Sequence, residues 1–162
     1  MKYINLKKYI FLLCLFPFFT ACTTSDISSV KAISNIIKIN DQNKKNYDNA
    51  MQVIAPISGI WTTKTQYGVS TIKLNLDGSG VVCDTSTLSG TNNNAYLFPI
   101  KYLENGILIS KNGLIFKVKK IDSLILETDV SFGGTTQPTK SLFKSDKDLK
   151  LASTACREKL YQ

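Results

Sequence analysis

Four cysteines and a complete absence of histidine set the chemistry open to this 162-residue chain. Without histidine, Ser-His-Asp and Cys-His catalysis and histidine-ligated metal sites are excluded. Paired carboxylates are the remaining inexpensive route to hydrolysis. Glu127 and Asp129 lie two apart on a β-patterned run and face the same way. Catalytic carboxylates oppose each other across a cleft from different segments, so this pair reads as a solvated strand face. Asp77-Gly78-Ser79-Gly80 lacks the spaced acids of a calcium loop and the Gly-Lys-Ser/Thr ending of a phosphate loop; it reads as a turn. Asn92-Asn93-Asn94 and Gly133-Gly134-Thr135-Thr136 are recognition loops or plain surface connections. The chemistry implies no enzyme and no cofactor.

The elements that position these residues begin with a leader. Met1 to Lys8 carries Lys2, Lys7 and Lys8 and no acid, and Tyr9 to Phe19 is apolar apart from Pro17. A charged start followed by about eleven apolar residues has the form of a signal peptide. A membrane-crossing helix needs about 20 apolar residues, so the run is too short to span.

The apolar run ends in Phe19-Thr20-Ala21-Cys22. This resembles the lipobox of bacterial type II signal peptides, in which Leu, a small residue, and Ala or Gly precede an invariant Cys. Phe19 stands where Leu is usual. The resemblance implies cleavage before Cys22, a diacylglyceryl group on its thiol (with palmitate-type acylation of the new amine), and a lipid anchor. Two acyl chains hold stably where one is marginal. The alternative is a secreted protein whose Cys22 forms a disulfide. Enteric-type lipoproteins retained at the inner membrane carry Asp directly after the cysteine. Thr23 stands there, so the resemblance implies the outer membrane, with the domain facing the periplasm or the surface.

With residues 1–21 removed as a signal peptide and Cys22 lipidated, Cys83 and Cys156 remain. An even pair in an exported chain reads as a disulfide. It closes a loop of about 73 residues, for which chain entropy gives about 4 kcal/mol. Two cysteines cannot form a structural zinc site alone. Removing Lys2, Lys7 and Lys8 leaves 17 basic against 12 acidic residues, a net +5. Charges of both signs are spread along the chain, and no basic run is interleaved with aromatics, so nucleic acid is not an expected partner. The expected partners are the membrane, through the anchor, and an envelope protein or a small ligand.

Residues 22–56 are rich in Ser, Asn, Lys and Asp. Val30, Ile33, Ile36 and Ile37, and less regularly Tyr47, Met51 and Ile54, recur at helical spacing, and Pro56 stops any helix at about Ala55. The segment is a tether bearing one short docked helix, or a spacer without structure. From Ile57 to Gln162 short β runs alternate with turn signals. Val69 to Leu76 sets Ile72, Leu74 and Leu76 on one face, and Val81-Val82-Cys83 returns after the Asp77-Gly78 turn. Asn105-Gly106 and Asn112-Gly113 separate Ala95–Leu103, Ile107–Ser110 and Leu114–Lys119, strong hairpin signals. Ser123 to Val130, with Leu124 beside Leu126 on one face, and Thr139 to Lys144 follow. Leu149, Ala152, Cys156 and Leu160 then predict a C-terminal helix. About eight strands in hairpin succession predict an all-β antiparallel meander that closes, fully or half-open, to hide its edges.

Gly59-Ile60-Trp61 opens the first strand, and the next hairpin turns at Asp77-Gly78. This start is similar to that of lipocalin-like small barrels, and also resembles uncharacterised families of small Gram-negative lipoproteins. The resemblance covers about 25 residues and implies that Trp61, with Gly59, plugs one end of a barrel. A resemblance of fold does not name a ligand. The chain therefore reads as a non-catalytic envelope lipoprotein, a binding or structural module. An envelope enzyme inhibitor, using Tyr67-Gly68 or Ser131 to Pro138, or a carrier of a small apolar ligand, is the alternative.

Overall fold

The computed structural model describes residues 38–66, 68–86, 94–133 and 137–161. The signal-peptide and lipobox readings, Val30 to Ile37, Tyr67, Asn92-Asn93 and Gly134 to Thr136 lie outside the described residues.

Eight antiparallel strands run in chain order and close into a barrel. They are β1 Gly59–Thr65, β2 Gly68–Leu74, β3 Ser79–Ser86, β4 Ala95–Leu103, β5 Ile107–Ser110, β6 Leu114–Ile121, β7 Ile125–Phe132 and β8 Thr139–Ser145. Residues 38–49 form a helix, α1, and Thr154–Leu160 form α2. Each strand pairs with its sequence neighbour, as hairpin connections require, and β1 returns to β8.

The turns follow their residues. Asn105 (φ 63°) and Gly106 (φ 69°) both enter the left-handed region, where a β-branched residue would be strained. At the Asp77 turn, Asp77 Oδ1 accepts from Ser79 N at 2.9 Å and from Ser79 Oγ at 2.6 Å. These bonds hold the Asp77 carboxyl below its ordinary range, the side-chain bond first.

Period-two alternation sorts the strands into two faces. Trp61, Ile72, Leu74, Val82, Ile100, Leu108, Phe116, Leu126 and Phe143 turn inward and form one buried cluster. Phe116 and Phe143 meet edge to face with centroids 6.3 Å apart, an arrangement that adds to the area they bury. A second cluster lies on the outer face, where Cys83, Ala95, Leu149, Ala152, Cys156 and Leu160 pack with Ile60 and Val81. The cross-strand register makes this assignment firm. Cys83 adjoins Val82, an inner residue, and so must face out.

Three expectations are corrected. Leu76 does not share the inner face of Ile72 and Leu74: β2 stops at Leu74, and Leu76 sits in the turn, 57% exposed. Leu124 likewise precedes β7 and is 71% exposed, because the Asp122 carboxylate accepts from Leu124 N and Ile125 N and makes that stretch a turn. Met51 and Ile54 are not on a helix with Tyr47. The α1 helix ends at residue 49, well before Pro56, and both side chains are exposed. Lys101 explains the stop. Its ammonium donates to the carbonyls of Tyr47 at 2.9 Å, Asp48 at 3.4 Å and Ala50 at 3.1 Å, satisfying the orphan acceptors of the helix end. The chain then runs extended, with Val53 N bonded to Tyr102 O and Ala55 N to Leu76 O, both at 2.9 Å.

Candidate functional site

Gly59 and Trp61 come together at one end of the barrel. Trp61 is buried, and its indole N–H donates to the carbonyl of Asp122, in the β6–β7 turn, at 3.1 Å. A Cβ on Gly59 would lie 2.6 Å from the Trp61 ring, so the glycine leaves the space that the ring fills. That is the physical content of the Gly-x-Trp spacing: residues i and i+2 share a face, and only one can be large.

The opposite half of the barrel has a different lining. Thr63, Ser70, Asp84, Ser110, Thr128 and Ser141 follow the apolar layer on the inner face, as the register dictates, with Leu114 and Val130 among them. Ser70 pairs with Asp84, and Asp84 with Tyr96. A cleft of about 300 Å3 opens here, lined by Thr65, Gly68, Ser70, Asp84, Ser86 and Tyr96 among others. Burial pushes the Asp84 carboxyl above its ordinary value of 3.8, and the Ser70 hydroxyl bonded to it pulls partly back. Asp84 is the one acid on the inner face of the described strands. One carboxylate among hydroxyls accepts hydrogen bonds. It cannot divide acid and base roles as a hydrolytic pair does. Among the described residues, no three His, Cys, Asp or Glu side chains converge as metal ligands would.

Near this end, Asn43 of α1 is buried against Gly113 and Gly133. A Cβ at either glycine would collide with the Asn43 side chain. Glu127 and Asp129 lie on the outer face of β7, where Asp129 forms an ion pair with Lys119 at 3.1 Å.

On the outer face, Cys83 and Cys156 form a disulfide with Cα atoms 5.8 Å apart. Ser153 caps α2 by accepting from Cys156 N at 3.1 Å. Two lysines staple the helix to the sheet: Lys73 Nζ donates to Leu160 O at 3.3 Å and Lys159 Nζ to Ala95 O at 2.6 Å. Leu149 and Ala152 join the cluster from the turn before α2, not from the helix itself. Below them Asp146, also buried, accepts from Thr62 Oγ1 at 2.8 Å and from the amides of Leu151 and Ala152.

The residues the sequence did not single out are Asp84, Asp146, Asn43 and Lys101. Asp84 had a faint signal, an acid in a strand otherwise reading Val-Val-Cys. Asp146 and Thr62 are 84 residues apart, and no local pattern links them. Cys22 lies outside the described residues. Compared with protein-family models, curated proteins and solved structures, the chain finds no match. What the geometry defines is a small closed antiparallel barrel with an apolar-filled half, a half where hydroxyls and Asp84 mix with apolar side chains, and a disulfide-tied outer helix.

Proposed function

We propose that this chain is an outer-membrane lipoprotein of the bacterial envelope, anchored through lipid on Cys22, whose barrel is a non-catalytic binding or structural module. The observation that carries the reading is the Cys83–Cys156 disulfide. Disulfides persist in exported proteins and are rare where thiols are kept reduced. Taken with the charged start, the apolar run and the Phe19-Thr20-Ala21-Cys22 motif, it supports an exported, anchored chain.

The interior supports a module that works from its surface over an apolar carrier. Ile72, Val82, Leu108 and Leu126 are wholly buried against Trp61, Phe116 and Phe143, so the apolar half of the barrel is filled by the chain's own side chains, as small eight-stranded barrels can be.

Cys22→Ser tests the anchor. A producing strain fed a clickable fatty acid and then fractionated should label the native chain in the membrane, and leave the variant unlabelled and released. Equal label on both would sink the proposal.

A further inference from the structure

The barrel is closed by its weakest ladder. β1 pairs with β2 over seven residues and β8 with β7 over six, but β1 and β8 pair only through Trp61–Ser145 and Thr62–Lys144. Continuing that register would set Thr63 opposite Phe143 and Lys64 opposite Leu142, and neither pair forms. The direction of the backbone groups is known. Asp146 N donates to Ile60 O across the seam at 2.8 Å, whereas Ser145 N donates the other way, to Leu124 O, at 2.7 Å. Peptide groups alternate sides along a strand. Those of Ile60, Thr62 and Lys64 on β1, and of Asp146, Lys144 and Leu142 on β8, therefore point into the seam. Beyond Thr62 and Lys144 they have no ladder partner there.

A cleft of about 290 Å3 lies at this divergence, lined by Thr62, Thr63, Lys64, Leu142, Lys144 and Leu151. Leu142 is 49% and Leu151 37% exposed. Its floor is thus two strand edges, one wall is apolar, and two lysines flank it. Glu127 is the nearest acid by register, paired with Leu142 from β7. Asp146 is taken up by Thr62 and two amides.

We propose that this seam is a binding site for an extended peptide segment of a partner protein, added as a strand at the β1–β8 edge. Main-chain bonds to Lys64 and Leu142 supply affinity, and alternate side chains supply specificity. An apolar residue rests on Leu142 and Leu151, and acidic residues meet Lys64 and Lys144. The preferred sequence sets apolar and acidic residues two apart, because Leu142, Lys144 and Lys64 all lie on the outer face. The site deepens the reading of the domain as a binding module and rests on it. Lysines on an edge also discourage indiscriminate pairing, so the same charges that repel a second copy of this basic chain select an acidic strand.

The test pans a displayed random octapeptide library against the full chain purified in detergent, and against its Lys64→Glu, Lys144→Glu double variant. Enriched peptides should carry apolar and acidic residues two apart, and should bind the double variant at least about tenfold more weakly. Bound peptide should slow hydrogen exchange at the Lys64 and Leu142 amides while leaving Ile72, in the closed part of the barrel, unchanged. Exchange at Ile72 also reports whether the variant is folded. No enrichment, equal binding to both proteins, dimerisation in place of peptide binding, or Lys64 and Leu142 amides already as slow as Ile72 in the free chain would each overturn the site. A peptide-negative seam on a chain that still takes lipid at Cys22 would overturn the seam alone. Loss of the lipid label would overturn the anchor and leave the seam standing.

Discussion

Thr62 and Asp146 couple the barrel to the segment that covers it. The Thr62 hydroxyl donates to Asp146 Oδ2 at 2.8 Å, and Thr71 Oγ1 lies 3.0 Å from the same hydroxyl. The Asp146 carboxylate also accepts from Leu151 N at 3.0 Å and Ala152 N at 2.9 Å. All three side chains are buried. Two outward threonines on adjacent strands would be ordinary surface residues without this acid. With it they become the foot of the chain's C-terminal cover.

Asp146→Ala should therefore destabilise the protein by about 2–3 kcal/mol, since it leaves the Leu151 and Ala152 amides without their acceptor. Asp146→Asn keeps one acceptor oxygen and should lose less. Urea denaturation of both variants measures the difference. Equal midpoints for native chain and Asp146→Ala would show that the cover docks without the clamp.

Joint replacement of Cys83 and Cys156 by alanine should lower stability by about 2–5 kcal/mol, the range for a native bridge closing a long loop. The loss should appear first as faster hydrogen exchange in Thr154–Leu160, because Lys73, Lys159 and Asp146 remain to hold the cover only non-covalently. Peptide mapping without reduction should find the two residues linked. Two free thiols on denaturation would contradict the bridge.

Trp61→Ala should cost about 3–5 kcal/mol, the range for deleting a large aromatic from a core. The loss joins a cavity beneath Gly59 to the missing bond with Asp122 O. Trp61→Phe should restore most of the packing and none of the bond. A denaturation midpoint unmoved by Trp61→Ala would place the ring outside the core.

Asp84 gives a pH signature. Burial raises its folded-state value above the ordinary 3.8, so the folded chain holds this proton more tightly than the unfolded one. Its contribution is fully present below the ordinary value and is lost as pH rises through the raised one. Asp84→Asn should then raise the melting temperature at pH 7 relative to the native chain, and the gain should vanish near pH 3. Asp77 and Asp122, whose values are lowered by hydrogen bonds, act oppositely, stabilising above the ordinary value and ceasing to do so as pH falls. Thermal scans of Asp84→Asn across this range isolate the one group. A gain that persists at pH 3 would assign the effect to packing instead.

Much of the fold is local and was legible. Asn105-Gly106 and Asn112-Gly113 mark hairpins because Asn and Gly take positive φ at little cost, as Asn105, Gly106 and Gly113 do where the structure turns. Alternation set the inner residues Ile72, Leu74 and Leu126. It failed at Leu76 and Leu124, where the apolar period continues past the strand end. There, hydrogen bonds accepted by the Asp77 and Asp122 carboxylates shape the turn at the strand end, and hydrophobicity carries no record of them. The helical spacing of Tyr47, Met51 and Ile54 failed for a related reason: the end of α1 is set by Lys101, 51 residues beyond Ala50.

By itself the sequence determined the strand succession and the antiparallel meander, and the lipobox resemblance, by setting aside Cys14 and Cys22, implied the Cys83–Cys156 pair. These depend on neighbours in the chain or on a simple count. Only the tertiary structure decided that closure is full and not half-open, that it runs through two residue pairs, and that hydroxyls and Asp84 enter one half of the interior. It alone brought Asp146 under Thr62 and set Asn43 against Gly113 and Gly133. Each of these is a contact between segments far apart in sequence, fixed by how twisted strands meet when a sheet curls upon itself, and no local pattern of residues records that.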